Sequence, residues 1–366
     1  MKRVFQSGAA MLDPPRKATP EKPVTAFYLQ DAYKDFQPTY AYPQNAGALA
    51  LDKWREGLVR ELRKVFTLDK LKDMQVNESL VPPVPKYKVL ESWEEADYTR
   101  QLIAYEVLEG NWVQAYLLLP RKLPAPAALC LHGHFPGAKD SVVFPKLAAG
   151  MAYGHELACR GFVVLAPDGA GMCAVEHWGA NTRDVPAEYA IIPREGGCAL
   201  LFRRLNHIGI DITGFRVFEL MASIDMLLSM DFVKGNGIGC VGLSGGCWLT
   251  QVLTALDSRV KASILSGYFT TFTQTAWLGH CICHHPFGIG CLCDMPDISA
   301  LAAPRPQFVE GGNEDTDYPM EPAFSLCKAA YDDLQAGDNL QLHIFEGGHR
   351  FDGKQSIPWL CGHFGL

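Results

Sequence analysis

The sequence predicts an α/β fold with a mostly parallel central sheet. From about residue 127 onwards, short apolar runs alternate with helical stretches along the chain. Such alternation implies right-handed crossovers between parallel strands, with helices on both faces of the sheet. Most of these runs are continuously apolar, which is typical of strands that are buried on both sides. A hairpin pattern precedes them, so we expect an antiparallel N-terminal edge.

The elements follow in order along the chain. A helix over residues 48–65 is predicted by an apolar stripe with mostly three- and four-residue steps, made of Leu49, Leu51, Trp54, Leu58, Leu62 and Phe66. The hairpin is predicted from two alternating runs, 99–108 and 112–119, that flank Glu109-Gly110-Asn111. Later strands are predicted at 127–131, 161–166, 237–241, 262–265, 306–310 and 340–345. Later helices are predicted in the stretch up to 160 and at 211–230, 247–256 and 322–334.

Composition excludes several classes of partner. The formal net charge of −7 and the lack of a Lys/Arg run argue against nucleic acid. No run of about 18 apolar residues is present to span a bilayer, so we expect no membrane association. The chain reaches Asp13-Pro14-Pro15 before a signal-peptide core accumulates, which makes the cytoplasm the expected location. There, the twelve cysteines are expected to be mostly reduced.

The most informative stretch is a candidate nucleophile turn. Apolar residues 238–241 lead into Gly242-Leu243-Ser244-Gly245-Gly246, and a helix is predicted next. A nucleophilic serine must stand on a sharp turn above the sheet, and flanking glycines let strand and helix approach closely. The helix N-terminus adds N–H groups and partial positive charge for a developing oxyanion. Gly-x-Ser-x-Gly alone is a common turn sequence, but in this context it predicts Ser244 as the nucleophile.

The partners of a serine nucleophile on such a sheet follow in the order serine, acid, histidine. His349 stands on a Gly-rich loop just after the strand 340–345, where its imidazole can reach the serine, and we predict it as the base. The acid is expected in the loop after the preceding strand. Three carboxylates compete there, and spacing alone does not separate Glu314, Asp315 and Asp317.

An oxyanion hole requires two backbone N–H groups aimed where negative charge develops. One is expected from Gly245, directly after the nucleophile. The other is expected from the loop after the strand 127–131, which begins His132-Gly133-His134-Phe135. We assign it to His134, with Gly133 or Phe135 as alternatives one residue away.

With these pieces placed, the chain resembles the α/β-hydrolase superfamily, and within it the dienelactone-hydrolase-related, acetylxylan-esterase-like branch. The resemblance covers roughly residues 85–355. It rests on Leu131-His132-Gly133-His134, Ala166-Pro167-Asp168-Gly169-Ala170-Gly171, Gly242-Leu243-Ser244-Gly245-Gly246, Ala302-Ala303-Pro304-Arg305-Pro306, the loop 312–319 and Gly348-His349.

The resemblance implies a serine esterase that needs no cofactor or metal. In this branch the acid lies three residues after a glycine and shortly before a proline, which points to Asp315. Dienelactone hydrolases proper carry a cysteine nucleophile, so Ser244 does not imply their activity. In the loop after His134, Phe135-Pro136 stands where this branch usually has a Gly-rich sequence, and we expect this difference to narrow the active site.

The implied organisation is an N-terminal arm and helix (1–84) packed on an α/β-hydrolase catalytic domain (85–366). Insertions near 172–205 and 268–300 are expected to form a small cap. The second insertion carries a dense set of soft ligands, including Cys281, Cys283, Cys291 and Cys293. One residue between paired cysteines is tight for structural zinc, so we interpret the segment as a cap wall and expect no metal, with a zinc site and a local disulfide as the alternatives. The candidate substrate-binding residues are Phe135, Trp178, Arg183, Trp248 and Cys283.

The function predicted from the sequence is hydrolysis of a small-molecule ester with a short acyl group or an acetylated sugar, through an acyl-enzyme. Two alternatives stay open. One is acyl transfer or peptide cleavage by the same triad. The other is a non-catalytic homologue that keeps the fold for ligand binding.

Overall fold

The computed structural model describes residues 37–45, 48–74, 84–135, 137–147, 152–172, 197–275 and 280–366. These residues contain a nine-stranded sheet. In chain order the strands are β1 (Tyr87–Glu94), β2 (Tyr98–Leu108), β3 (Asn111–Pro120), β4 (Ala125–Leu131), β5 (Val163–Pro167), β6 (Val233–Leu243), β7 (Val260–Ser266), β8 (Gln307–Gly312) and β9 (Leu340–Phe345).

The sheet order is β1-β2-β3-β5-β4-β6-β7-β8-β9. The first three strands are antiparallel to one another, and β3 is antiparallel to β5. From β5 to β9 every pairing is parallel. The carboxyl ends of the parallel strands therefore meet at one edge of the sheet, where ligands bind in α/β folds of this kind. The predicted fold class, a mostly parallel sheet with an N-terminal hairpin, is confirmed.

The described helices lie between and around these strands. They are α1 (Ala48–Val65), α2 (Leu68–Met74), α3 (Lys139–Val143), α4 (Tyr153–Cys159), α5 (Gly197–His207), α6 (Ile212–Leu228), α7 (Gly245–Leu256), α8 (Phe272–Thr275), α9 (Ile289–Leu292), α10 (Met295–Ala300), α11 (Glu321–Asp333) and α12 (Ser356–His363). None of them combines the length and apolar character that crossing a bilayer requires.

The sheet is covered on both faces. Along β5 the side chains alternate, so that Val163 and Leu165 join one hydrophobic cluster while Val164 and Ala166 join another. The first cluster contains residues of α1, α6 and α7, and the second contains residues of α4 and α12. Because the side chains on both faces of the sheet are buried, the central strands appear in the sequence as continuous apolar runs. Strand β4, for example, is buried along its whole length.

Helix α1 and strand β9 have the predicted bounds, and the other predicted strands are present with ends that differ from the prediction. Helix α6 starts one residue after the predicted position because Asp211 is its N-cap and accepts a hydrogen bond from the N–H of Gly214 at 2.7 Å. Two features differ from expectation. The helical stretch before residue 160 contains two short helices, α3 and α4, and β1 was not predicted. Strand β1 is an edge strand with mostly exposed side chains, so it carries no apolar pattern.

Candidate active site

Ser244 lies on a strained turn between β6 and α7. Its backbone has φ +58° and ψ −119°, a conformation that a residue with a side chain rarely adopts. Its N–H donates to the carbonyl of Ser266 at the end of β7, at 2.9 Å, which ties the turn to the neighbouring strand. The residue is nearly buried, with 7% of its surface exposed. This geometry holds the hydroxyl at the carboxyl edge of the sheet.

Glycines make the close approach at this turn possible. A Cβ on Gly246 would lie 2.0 Å from the carbonyl oxygen of Leu131, and a Cβ on Gly242 would lie 2.2 Å from the carbonyl oxygen of Gly246. Both obstacles are backbone atoms, which cannot rotate away. The N-terminus of α7 can therefore pack against β4 and β6 only with glycine at these positions.

We expect Gly246→Ala to destabilise the fold by about 3 kcal/mol or more, because the clash forces the helix away from the sheet. Gly290→Ala is the matched control, since Gly290 also lies in a helix and a Cβ there meets no atom within 4 Å. Urea unfolding of both variants measures the effect. Equal stability of the two variants would contradict this view of the turn.

His349 and Asp315 form a hydrogen-bonded pair beside this turn. His349 Nδ1 lies 2.5 Å from Asp315 Oδ2. A carboxylate can only accept, so Nδ1 carries the ring proton in the neutral imidazole and Nε2 is left as a base. The pair joins the loops that follow β8 and β9. Of the three candidate carboxylates, Asp315 is the one that contacts His349.

The imidazole of His349 lies over the ends of β6 and β7. A Cβ on Gly267 would come within 3.2 Å of His349 Cε1 and 3.0 Å of Leu243 Cδ1. The rings of Tyr318 and Phe135 flank it, with centroids at 5.6 Å and 5.9 Å. No hydrogen bond joins Ser244 Oγ to His349 within the described residues. Such bonds are often long in ligand-free enzymes.

The loop after β4 covers the turn. A Cβ on Gly133 would lie 2.9 Å from Ser244 Cβ, so this loop touches the serine directly. His132 fixes the loop: its Nε2 accepts from the N–H of Gly169 at 2.8 Å, and its Nδ1 donates to the carbonyl of Gly133 at 2.8 Å. Accepting at Nε2 requires the neutral ring, and burial lowers the pKa of His132 accordingly. His132 therefore braces the loop.

His134 points away from solvent towards sulfur atoms. Its Nε2 lies 3.2 Å from Cys198 Sγ and 3.2 Å from Cys283 Sγ. Its other ring nitrogen faces the turn, since a Cβ on Gly245 would be 2.7 Å from His134 Nδ1. His134 thus stands between the residue after the serine and a group of cysteines.

The remaining sequence candidates are placed differently. Phe135 is half-buried beside His349. Trp248 is fully buried, and its Nε1–H donates to Thr213 Oγ1 at 3.1 Å, so its burial argues against contact with substrate. Cys283 is likewise fully buried. Trp178 and Arg183 lie outside the described residues.

Glu310 is a site-supporting residue that sequence reasoning missed. It is fully buried at the end of β8, and burial raises its pKa. Its carboxylate accepts from Ser356 Oγ at 2.7 Å, from Ser266 Oγ at 3.1 Å and from two backbone N–H groups, those of Asp352 and Gly353. These bonds anchor the segment just after His349. The signal was available: a glutamate stands inside an otherwise buried apolar strand.

Known proteins share this architecture. A solved structure described as a "putative acetyl xylan esterase" from Bacteroides fragilis NCTC 9343 superposes with a TM-score of 0.71, covering 93% of this chain and 95% of that one at 18% identity. The fold is that of the α/β-hydrolase esterases. A methylesterase, BT1017, superposes with a TM-score of 0.63 at 21% identity, covering 92% of this chain and 65% of that one.

Similarity is also found at the sequence level. A protein of Bacillus subtilis (strain 168), named "Putative hydrolase YtaP", is 24% identical in an alignment over 249 residues that covers 64% of this chain and 77% of that protein. The chain matches no protein-family profile.

Proposed function

We propose that this chain is a serine ester hydrolase with Ser244 as nucleophile, His349 as general base and Asp315 as the acid. The observation that carries the proposal is the His349–Asp315 hydrogen bond at 2.5 Å, placed beside a serine held at φ +58°. Strain of this kind concentrates at functional sites, and such a turn positions a nucleophile to attack a carbonyl carbon.

The reaction proceeds in two acyl-transfer steps. His349 Nε2 takes the proton of Ser244 Oγ as the oxygen attacks the ester carbonyl, and then gives that proton to the leaving alcohol. The acyl group stays on Ser244. Water then attacks this acyl-enzyme as His349 Nε2 takes a proton from it; the bond between Ser244 Oγ and the acyl carbon breaks, Oγ takes the proton back from His349, and the carboxylic acid leaves. Asp315 orients the imidazole and stabilises its positive charge in both steps.

The oxyanion formed in each step requires backbone donors. Gly245 opens helix α7, so its N–H has no partner within the helix and the helix dipole favours negative charge there. The loop 132–135, which contacts Ser244 through Gly133, supplies the second N–H, and we assign it to His134. Each such donor contributes about 100- to 1000-fold to the rate.

Support for a substrate class comes from the side chains beside His349 and from the relatives. The rings of Phe135 and Tyr318 lie 5.9 Å and 5.6 Å from the His349 ring, and such bulk beside the base favours a small acyl group over a long chain. One solved relative is named for acetyl xylan and the other for methyl esters. We therefore propose small carbohydrate esters, with acetyl as the acyl group.

A substrate panel tests this proposal. The purified chain would be given nitrophenyl acetate, butyrate and octanoate, an acetylated xylo-oligosaccharide, a sugar-acid methyl ester and a nitroanilide. We expect turnover of acetyl esters, a decline with chain length and no cleavage of the anilide. Cleavage of the anilide alone would indicate a peptidase. Product partition that shifts strongly with added alcohol would indicate an acyltransferase, and no turnover at all would leave a binding protein.

A further inference from the structure

Four potential metal ligands converge behind the loop that carries His134. They are His134 Nε2 and the Sγ atoms of Cys198, Cys281 and Cys283, all within 4.8 Å of one another. The shortest separations are 3.1 Å between Cys281 and Cys283, and 3.2 Å from His134 to each of Cys198 and Cys283. The ligands come from three segments that are distant in the sequence: the loop after β4, the start of α5 and the second cap insertion.

The spacing fits a tetrahedral ion. Zinc binds Cys sulfur at about 2.3 Å and His nitrogen at about 2.0 Å, so ligand atoms around it stand roughly 3.5–3.8 Å apart. The three shortest separations, 3.1 Å and twice 3.2 Å, lie below that range, and no separation exceeds 4.8 Å. Side-chain shifts of about one ångström or less would bring the four soft ligands around one centre. Three cysteines and one histidine are a known structural zinc set.

We propose that His134, Cys198, Cys281 and Cys283 bind one Zn²⁺, which links the loop beside the nucleophile to the cap. This goes beyond the ester-hydrolase proposal and does not depend on it. It also departs from the sequence-based expectation of no metal, which considered only the spacing inside the 281–293 segment. In the structure the cluster contains His134 and Cys198, which come from other segments, and not Cys291 and Cys293.

Charge supports the assignment. Arg216 is 2% exposed, and it donates hydrogen bonds to the carbonyl of Ala170 and, from Nη2 at 3.1 Å, to Cys198 Sγ. A buried guanidinium requires a nearby anion. Three thiolates and a divalent cation carry one net negative charge, which the guanidinium balances.

Next to the cluster, His284 is fully buried, and neither of its ring nitrogens has a hydrogen-bond partner within the described residues. This buried region therefore contains polar atoms that no described protein atom satisfies with a hydrogen bond.

A metal at this position would order the active-site loop. Coordination through Nε2 places the ring proton of His134 on Nδ1, the nitrogen that faces Gly245. It would also fix the backbone of the loop whose N–H groups we assign to the oxyanion hole. The role is therefore one of positioning: the ion holds His134 and the cap in place, and Ser244 still carries out the reaction.

The test uses tag-free full-length protein and two readouts that need no substrate. Elemental analysis is expected to find about one zinc per chain. After zinc is stripped under reducing conditions, Co²⁺ should produce the intense visible bands of tetrahedral thiolate ligation, saturating at about one equivalent. Cys198→Ser and Cys283→Ser should each weaken metal binding by at least about 100-fold, since even outer-shell changes cost 10- to 100-fold.

Cys291→Ser is the matched control, because Cys291 lies in the same cap segment but is exposed and outside the cluster. It should keep full zinc content and the cobalt spectrum. The proposal is overturned if wild-type protein holds less than about a tenth of an equivalent of zinc and shows no thiolate–cobalt bands. A disulfide between these cysteines in freshly purified protein, found by thiol titration, would also overturn it. Neither readout depends on ester turnover, so a negative result here does not affect the ester-hydrolase proposal.

Discussion

Ser244→Ala is expected to lower kcat on nitrophenyl acetate by about 10⁴- to 10⁶-fold, because no other group can form the acyl-enzyme. The melting temperature should change little. The serine hydroxyl makes no hydrogen bond within the described residues, and alanine occupies the same turn without a new clash. Steady-state kinetics and thermal unfolding on the same preparations measure both quantities.

Ser258→Ala is a suitable control, since Ser258 is an exposed serine in the turn before β7. It should leave both kcat and melting temperature unchanged. A Ser244→Ala protein that keeps more than about a tenth of the wild-type kcat would contradict a serine nucleophile, since loss of a true one costs orders of magnitude.

Asp315→Asn is expected to lower kcat by about 10⁴-fold. The amide keeps the size of the carboxylate but can offer its NH₂ group to His349 Nδ1, which moves the ring proton to Nε2. The imidazole then cannot accept the serine proton, and the positive charge that forms on it loses its partner. Kinetics with nitrophenyl acetate detect the loss, while KM is expected to change little.

The matched control for Asp315 is in the same loop. Asp317→Asn removes an identical charge two residues away, and Asp317 makes no hydrogen bond with His349. We expect it to keep kcat within about threefold of wild type, as for a solvated surface charge. Loss of activity in Asp317→Asn or Glu314→Gln, with Asp315→Asn nearly normal, would assign the acid to a different carboxylate.

Much of the fold could be predicted because its signals are local. Helix α1 has one apolar stripe, and β9 is a short strand that runs into Glu346-Gly347-Gly348. The serine turn was predictable for the same reason, since a strained turn between a buried strand and a helix needs glycines at fixed positions. Gly242 and Gly246 occupy those positions, and the structure shows which backbone atoms require them.

The features that sequence reasoning missed depend on contacts between distant segments. His134 and Cys198 are 64 positions apart, and the start of α5 lies beside the loop after β4 only because helix and sheet pack that way. Spacing rules therefore found the Cys281–Cys283 pair and not its partners. Strand β1 was missed because backbone pairing with β2 holds it in place while its side chains face solvent.

The proposed chemistry also explains why Glu310 is buried. A charged side chain in a central strand is unfavourable unless its oxygens are fully hydrogen-bonded. Here they accept from both the end of β7 and the segment after His349. The carboxylate therefore connects the strand beside the serine to the loop that carries the base, which holds the two halves of the site at a fixed separation.

Labelling with a fluorophosphonate, followed by peptide mass spectrometry, shows whether Ser244 is the activated nucleophile. The probe forms a covalent bond only with a serine whose hydroxyl a neighbouring base activates. We expect one adduct on the peptide that contains Ser244, slowed strongly by His349→Ala and absent from Ser244→Ala. An adduct on another serine, or an unlabelled Ser244 in folded protein that still hydrolyses esters, would contradict this role of Ser244.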